Sequence, residues 1–168
     1  MSDTQPLVEE LDRLLLQEIE AYQQLLTLQQ EEQRLVVAQT LEPFLANLQA
    51  KEQLARKLTA YEQHRQAVTN SLRPVLQLPA TPLTLQQLST RVGEPYASRF
   101  LHYRTRLRTL VNDLRRLNTE NAMLLRDSLA FIEHVLVFFD RLQLDGTTYH
   151  QSGKFTPRQQ GRLLSERV

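Results

Sequence analysis

An all-α fold, an elongated antiparallel helical bundle of coiled-coil type, is predicted by three observations. Only four glycines occur in 168 residues, at positions 93, 146, 153 and 161, and none falls within a predicted long helix. Apolar residues recur at alternating steps of three and four along long stretches, the spacing that gathers them on one helical face. Turn formers are confined to short connections and to the C-terminal end. A bundle of this length buries a continuous apolar seam without metal or disulfide staples. The chain has no cysteine, so neither a disulfide framework nor a thiolate metal site can form.

The first helix is predicted over about 7–38. Leu7, Leu14, Ala21, Leu28 and Leu35 stand seven apart, Leu11 and Leu25 fill alternate positions, and Glu18 and Glu32 occupy the remaining two. Thr40 with Leu41, Glu42 and Pro43 reads as an N-cap and first turn, because proline is tolerated there and an acid complements the helix dipole. A second helix is therefore predicted over 41–72, stopping before Pro74. Its stripe is Leu41, Phe44, Leu45, Leu48, Leu54, Leu58, Tyr61, Val68 and Leu72. Residues 73–83, RPVLQLPATPL, hold three prolines and no helical period, which predicts an extended crossover. Thr84 with Gln87 makes a capping-box pattern, and Gly93 before Glu94-Pro95 closes a short helix over 84–92.

The last helix, over 95–143, carries the clearest signal. Its seam runs Phe100, Tyr103, Leu107, Leu110, Leu114, Leu117, Asn121, Leu124, Ser128, Phe131, Val135, Phe138 and Leu142, about six heptads and roughly 60 to 70 Å of helix. A polar residue at a seam position fixes register and oligomeric state at some cost in stability, which accounts for Asn121. Asn118 lies off the seam and is expected to be exposed. Beyond residue 144 the pattern collapses into DGTTYHQSGKFTPRQQGRLLSERV, read as a flexible basic tail over 145–168. Residues 1–144 are thus expected to form one bundle domain.

Charge is unevenly distributed. Residues 1–38 carry eight acids against Arg13 and Arg34, a net −6, and residues 99–116 carry six arginines against Asp113, a net +5. The first helix and the start of the last are expected to pack side by side, with arginine heads meeting the acids and arginine stems covering the core. That reading outweighs the alternative of a nucleic-acid stripe from Arg99 to Arg116, and no nucleic-acid partner is expected. Enzyme templates find no match. There is no glycine-rich phosphate loop, and His64, His102, His134 and His150 are scattered over two helices and the tail. No catalytic residue, cofactor, metal or small-molecule substrate is expected. The start of the chain lacks the features of a secretory signal, and no run is apolar enough to span a bilayer, so a cytoplasmic protein is expected.

The end of the last helix carries more apolar surface than one stripe. Leu125, Ile132 and Phe139 form a second line and Leu129 with Leu136 a third. A single partner helix cannot cover all of them. Burial in a three-helix core, a homo-oligomer and a groove for a partner's amphipathic helix all remain open at this point.

The sequence as a whole resembles the FlgN-type flagellar export chaperones. The resemblance rests on the acidic leucine-rich first helix and on a second helix with Lys51, Glu52 and Leu54 leading to Tyr61-Glu62 and Arg65. In the last helix Leu117, Asn118, Asn121, Leu124 and Leu125 fit the family's L-N-x-x-N-x-x-L-L pattern, and in the tail Tyr149 and Gly153 stand at the family's spacing. His150, where the family commonly has glycine, and the run VLVFF at 135–139 depart from it.

The resemblance implies a cytoplasmic chaperone of flagellar type III export, using no nucleotide or metal itself. Such proteins bind C-terminal amphipathic helices of the hook-associated, or hook-filament junction, proteins and deliver them to the membrane export gate. The export ATPase is left open as a further partner, and so is a weak homodimer. On this reading Leu125, Leu129, Ile132, Leu136 and Phe139 form the client face, and Tyr149 with Gly153 docks to the gate. The competing reading is a structural coiled-coil protein that self-associates through the same broad face.

Overall fold

The heptad stripe near the N-terminus folds as expected into a long helix. The computed structural model describes residues 4–77 and 84–144, and all regular structure among them is α-helical. The elements are α1 (Thr4–Ala38), α2 (Leu41–Val75), α3 (Leu85–Ser89) and α4 (Tyr96–Leu144). The chain divides into two compact units, Met1–Arg126 and Asp127–Val168.

In the first unit α1 and α2 form an antiparallel hairpin, and the core gathers side chains from all four helices. Val8, Leu11, Leu14, Leu15 and Ile19 of α1 meet Val68 and Leu72 of α2, Leu88 of α3, and Phe100, Tyr103 and Leu110 of α4. Burying side chains of this size contributes about 1.5–3 kcal/mol each. The seam of α4 is buried at Phe100, Tyr103, Leu110, Leu114, Leu117 and Asn121, as its spacing requires.

The stripe predicted for α2 holds only in part. Leu54, Val68 and Leu72 are buried, but Leu41, Leu45 and Leu48 are exposed, and Asn47 is buried among them. The Asn47 side-chain amide takes the inward position and donates to the Leu28 carbonyl at 3.0 Å. The predicted stop before Pro74 is also corrected, because α2 continues through Pro74 to Val75. A proline in the last turn disturbs one carbonyl, that of the exposed Asn70, and keeps a helical φ. Fully buried Leu72 anchors that turn, and its carbonyl accepts from the Leu76 N–H at 2.9 Å. The start of the extended crossover predicted over 73–83 is thereby corrected, since 73–75 are helical, and residues 78–83 lie outside the described residues.

The caps are mixed. Thr84 and Gln87 form the predicted capping box, with side-chain and backbone bonds in both directions. The short helix ends at Ser89, and the Arg91 and Val92 N–H groups turn back onto the Leu88 carbonyl. Thr40 occupies the N-cap of α2 in extended conformation but makes no side-chain cap bond. Just before it, Gln39 sits at φ 55°, and the bonds from Gln39 N to Val36 O and from Thr40 N to Leu35 O close a Schellman motif on α1. A left-handed conformation strains any residue with a Cβ. Gln39→Gly is accordingly expected to raise stability by about 0.5–1 kcal/mol in thermal or denaturant unfolding, with no change in helicity.

In the second unit the described residues form the end of α4. Phe131, Ile132, Leu136, Val137, Phe138 and Phe139 are all exposed there.

Candidate interaction surfaces

Asn121, the polar residue in the α4 seam, is only 1% exposed. Its amide lies within bonding distance of three acceptors on α1: the Gln29 carbonyl at 2.8 Å, Gln29 Oε1 at 2.9 Å and Glu32 Oε2 at 2.7 Å. From α2, Lys51 Nζ donates to the same Glu32 oxygen at 2.8 Å and reaches Gln29 Oε1 at 3.4 Å. Gln29 Nε2 in turn donates to Asn118 Oδ1 at 3.3 Å. Gln29, Glu32, Lys51, Asn118 and Asn121 are therefore one polar layer tying three helices together. Asn118 is exposed, as its off-seam position predicts, and also belongs to this layer.

A second polar layer lies deeper in the hairpin. Arg65 Nε donates to Glu18 Oε1 at 2.9 Å, and its Nη2 makes a very short bond to Glu62. The two glutamates that interrupt the α1 stripe thus each face a cation of α2, Glu18 to Arg65 and Glu32 to Lys51. Each step is fourteen residues on either helix, as an antiparallel register requires.

Burial pushes the Glu18 carboxyl above its usual range, an effect that Arg65 only partly offsets. For Glu62 burial acts the same way but is outweighed by bonds from Arg65 and Gln66, which hold its carboxyl below the usual range. A carboxyl raised in the folded state contributes its full stability at acid pH and loses it as pH rises through the folded value. Glu18→Gln is therefore expected to leave stability at neutral pH unchanged or raise it by up to about 1 kcal/mol, a gain that vanishes on acidification. Chemical denaturation at two pH values checks this, and a clear loss at neutral pH would show that the charge itself is needed.

The arginine run behaves differently from its expectation. Among the described residues one ion pair joins it to α1, from Arg99 to Asp12 at 3.1 Å. Arg116 pairs within α4 with Glu120, and Arg104, Arg106, Arg108 and Arg115 are exposed. Three other acids of α1 meet cations or histidine of α2, Glu18 and Glu32 in ion pairs and Glu10 3.3 Å from His64. Net charge along a helix did not report which helix it faces.

Of the expected client residues, Leu125 is half-buried and belongs to the first unit. Leu129, Ile132, Leu136 and Phe139 are 61%, 52%, 63% and 56% exposed in the second. Phe131 and Phe138, which continue the seam buried up to Asn121, are exposed as well, and Phe138 stands edge-on to Phe139 with ring centres 6.0 Å apart. None of them is core among the described residues. Tyr149 and Gly153 lie outside the described residues. No described helix is long and apolar enough to cross a membrane.

No curated protein and no solved structure was found to match the chain. The family model described as FlgN protein matches residues 1–157, taking in both polar layers and the exposed end of α4, and the chain belongs to the FlgN family.

Proposed function

We propose that this FlgN-family chaperone is a cytoplasmic export chaperone of the flagellar type III system. It holds the C-terminal amphipathic helices of hook-filament junction proteins on the line of Leu125, Leu129, Ile132, Leu136 and Phe139, and hands them to the export gate. The observation that supports this reading most is the exposure of the last four of these residues on one helix. Their steps of three and four match the anchors of a helix-in-groove contact, and large apolar side chains left in water mark interaction sites. A client segment disordered until bound gains its helix by covering them. The tail residues Tyr149 and Gly153 are proposed as the handle for the gate.

Ile132→Glu with Phe139→Glu is expected to abolish capture of junction-protein C-terminal peptides, a loss of at least about a hundredfold in affinity. Far-UV circular dichroism is expected to stay helical, since both side chains are already exposed. Unchanged binding would remove the client face, and collapse of helicity would make it structural. Tyr149→Ala is expected to keep client binding and weaken capture by the gate; if gate binding is unaffected, the tail assignment fails.

A further inference from the structure

The exposed end of α4 carries two apolar seams side by side, and the proposed client face uses only one. The other is Ser128, Phe131, Val135 and Phe138, the continuation of the seam buried in the first unit. The flanking positions just ahead of the seam, one per heptad, hold Asp127, His134 and Arg141, all exposed. The positions on its other flank hold Ile132 and Phe139.

We infer that this seam pairs antiparallel with the same segment of a second copy of the chain. Two features of the side chains select that occupant and orientation. One is size. In the antiparallel register Phe138 lies opposite Ser128 and Phe131 opposite Val135, so that each large side chain meets a smaller one in every layer. Parallel, in-register pairing would instead stack phenylalanine on phenylalanine and serine on serine, leaving alternate layers overfilled and empty.

The second feature is charge. Antiparallel helices bring like flanks together. Asp127 then faces the second copy's Arg141, Arg141 faces the second copy's Asp127, and the two His134 side chains meet at the twofold axis between them. The opposite flank is apolar throughout, with Ile132 against Ile132. Parallel pairing would set Asp127 and His134 against isoleucine and phenylalanine. A self-complementary patch of this kind is what a closed twofold interface requires. The overlap spans residues 127–141, roughly 20 Å of helix. So small an interface makes a concentration-dependent dimer rather than a permanent one.

The inference does not rest on the client reading, but it bears on it. Ile132 and Phe139 flank the paired seam, so a second copy and a client helix cover overlapping surface, and each displaces the other. Self-association would then shield the apolar face of the idle chaperone.

Sedimentation of the full chain from micromolar to near-millimolar concentration tests this directly. The unmodified chain is expected to show a monomer–dimer equilibrium. Asp127→Arg and Arg141→Asp, each of which creates two like-charge contacts per dimer, are each expected to weaken it by about tenfold or more at low salt. The double variant Asp127→Arg with Arg141→Asp is expected to restore it. Both residues are exposed, so circular dichroism is expected to be unchanged in every variant. A chain that stays monomeric, a larger closed oligomer, a dimer indifferent to the single reversals, or a double variant that fails to recover would each overturn the inference. Junction-peptide binding, measured on the same variants, separates the two proposals. Neither Asp127 nor Arg141 belongs to the client face, so absent binding with an intact dimer removes only the client reading.

Discussion

Lys51→Met is expected to destabilise the chain by about 3 kcal/mol or more, a loss that chemical denaturation reads as a shifted midpoint at unchanged slope. The side chains of Lys51 and Glu32 are 15% and 6% exposed, so neither charge is relieved by much water. Methionine keeps the length and apolar stem of lysine but removes the ammonium 2.8 Å from the Glu32 carboxylate. Glu32 is left buried with the Asn121 amide as its remaining side-chain donor among the described residues. The magnitude comes from that stranded charge rather than from the worth of the pair, because a buried pair as a whole is close to neutral against an apolar replacement. Adding Glu32→Gln to Lys51→Met is therefore expected to recover most of the loss. The pair of variants separates the two contributions by a double-mutant cycle. A loss below about 1 kcal/mol for Lys51→Met would show that water reaches Glu32 readily.

This outcome bears on why the two glutamates were hard to interpret from sequence. Glu18 and Glu32 read only as interruptions in the α1 stripe. Periodicity tells which residues share a face but not what covers it, and their partners lie 47 and 19 residues away along the chain. Lys51 and Arg65 did stand out, yet only through the family pattern. The antiparallel register that joins the two observations needed the hairpin itself. Local chemistry was more legible. The capping box at Thr84 and the seam of α4 as far as Asn121 follow from spacing that is settled within a few residues. Leu41, Leu45 and Leu48 misled because their apolar character fits a helical face that α1 leaves exposed. The end of α4 posed the same question in reverse. Its apolar lines were plain in sequence, and only exposure in the folded chain separates them from core.

Asn121→Asp is expected to lower stability by at least about 3 kcal/mol at neutral pH, although it changes a single side-chain atom group and no volume. The amide that now donates to Glu32 Oε2 at 2.7 Å would become a carboxylate facing a carboxylate, in a position 1% exposed to solvent. The Gln29 carbonyl and Gln29 Oε1, at 2.8 and 2.9 Å, are acceptors too and would gain nothing from it. Two carboxylates at such a distance share one proton, which raises the folded-state value of the pair above that of the unfolded chain. The folded variant therefore binds more protons than the unfolded one between those two values, and its stability falls as pH rises through the raised one. Measured by denaturation across pH, the deficit of Asn121→Asp is expected to shrink steadily on acidification toward pH ~4 and to be largest at neutrality and above. Asn121→Leu separates charge from register. It removes the donor without adding a charge, so its loss is expected to be smaller and its deficit to lack that dependence on pH. A deficit for Asn121→Asp that does not shrink in acid would mean that the layer opens to water rather than holding two carboxylates together.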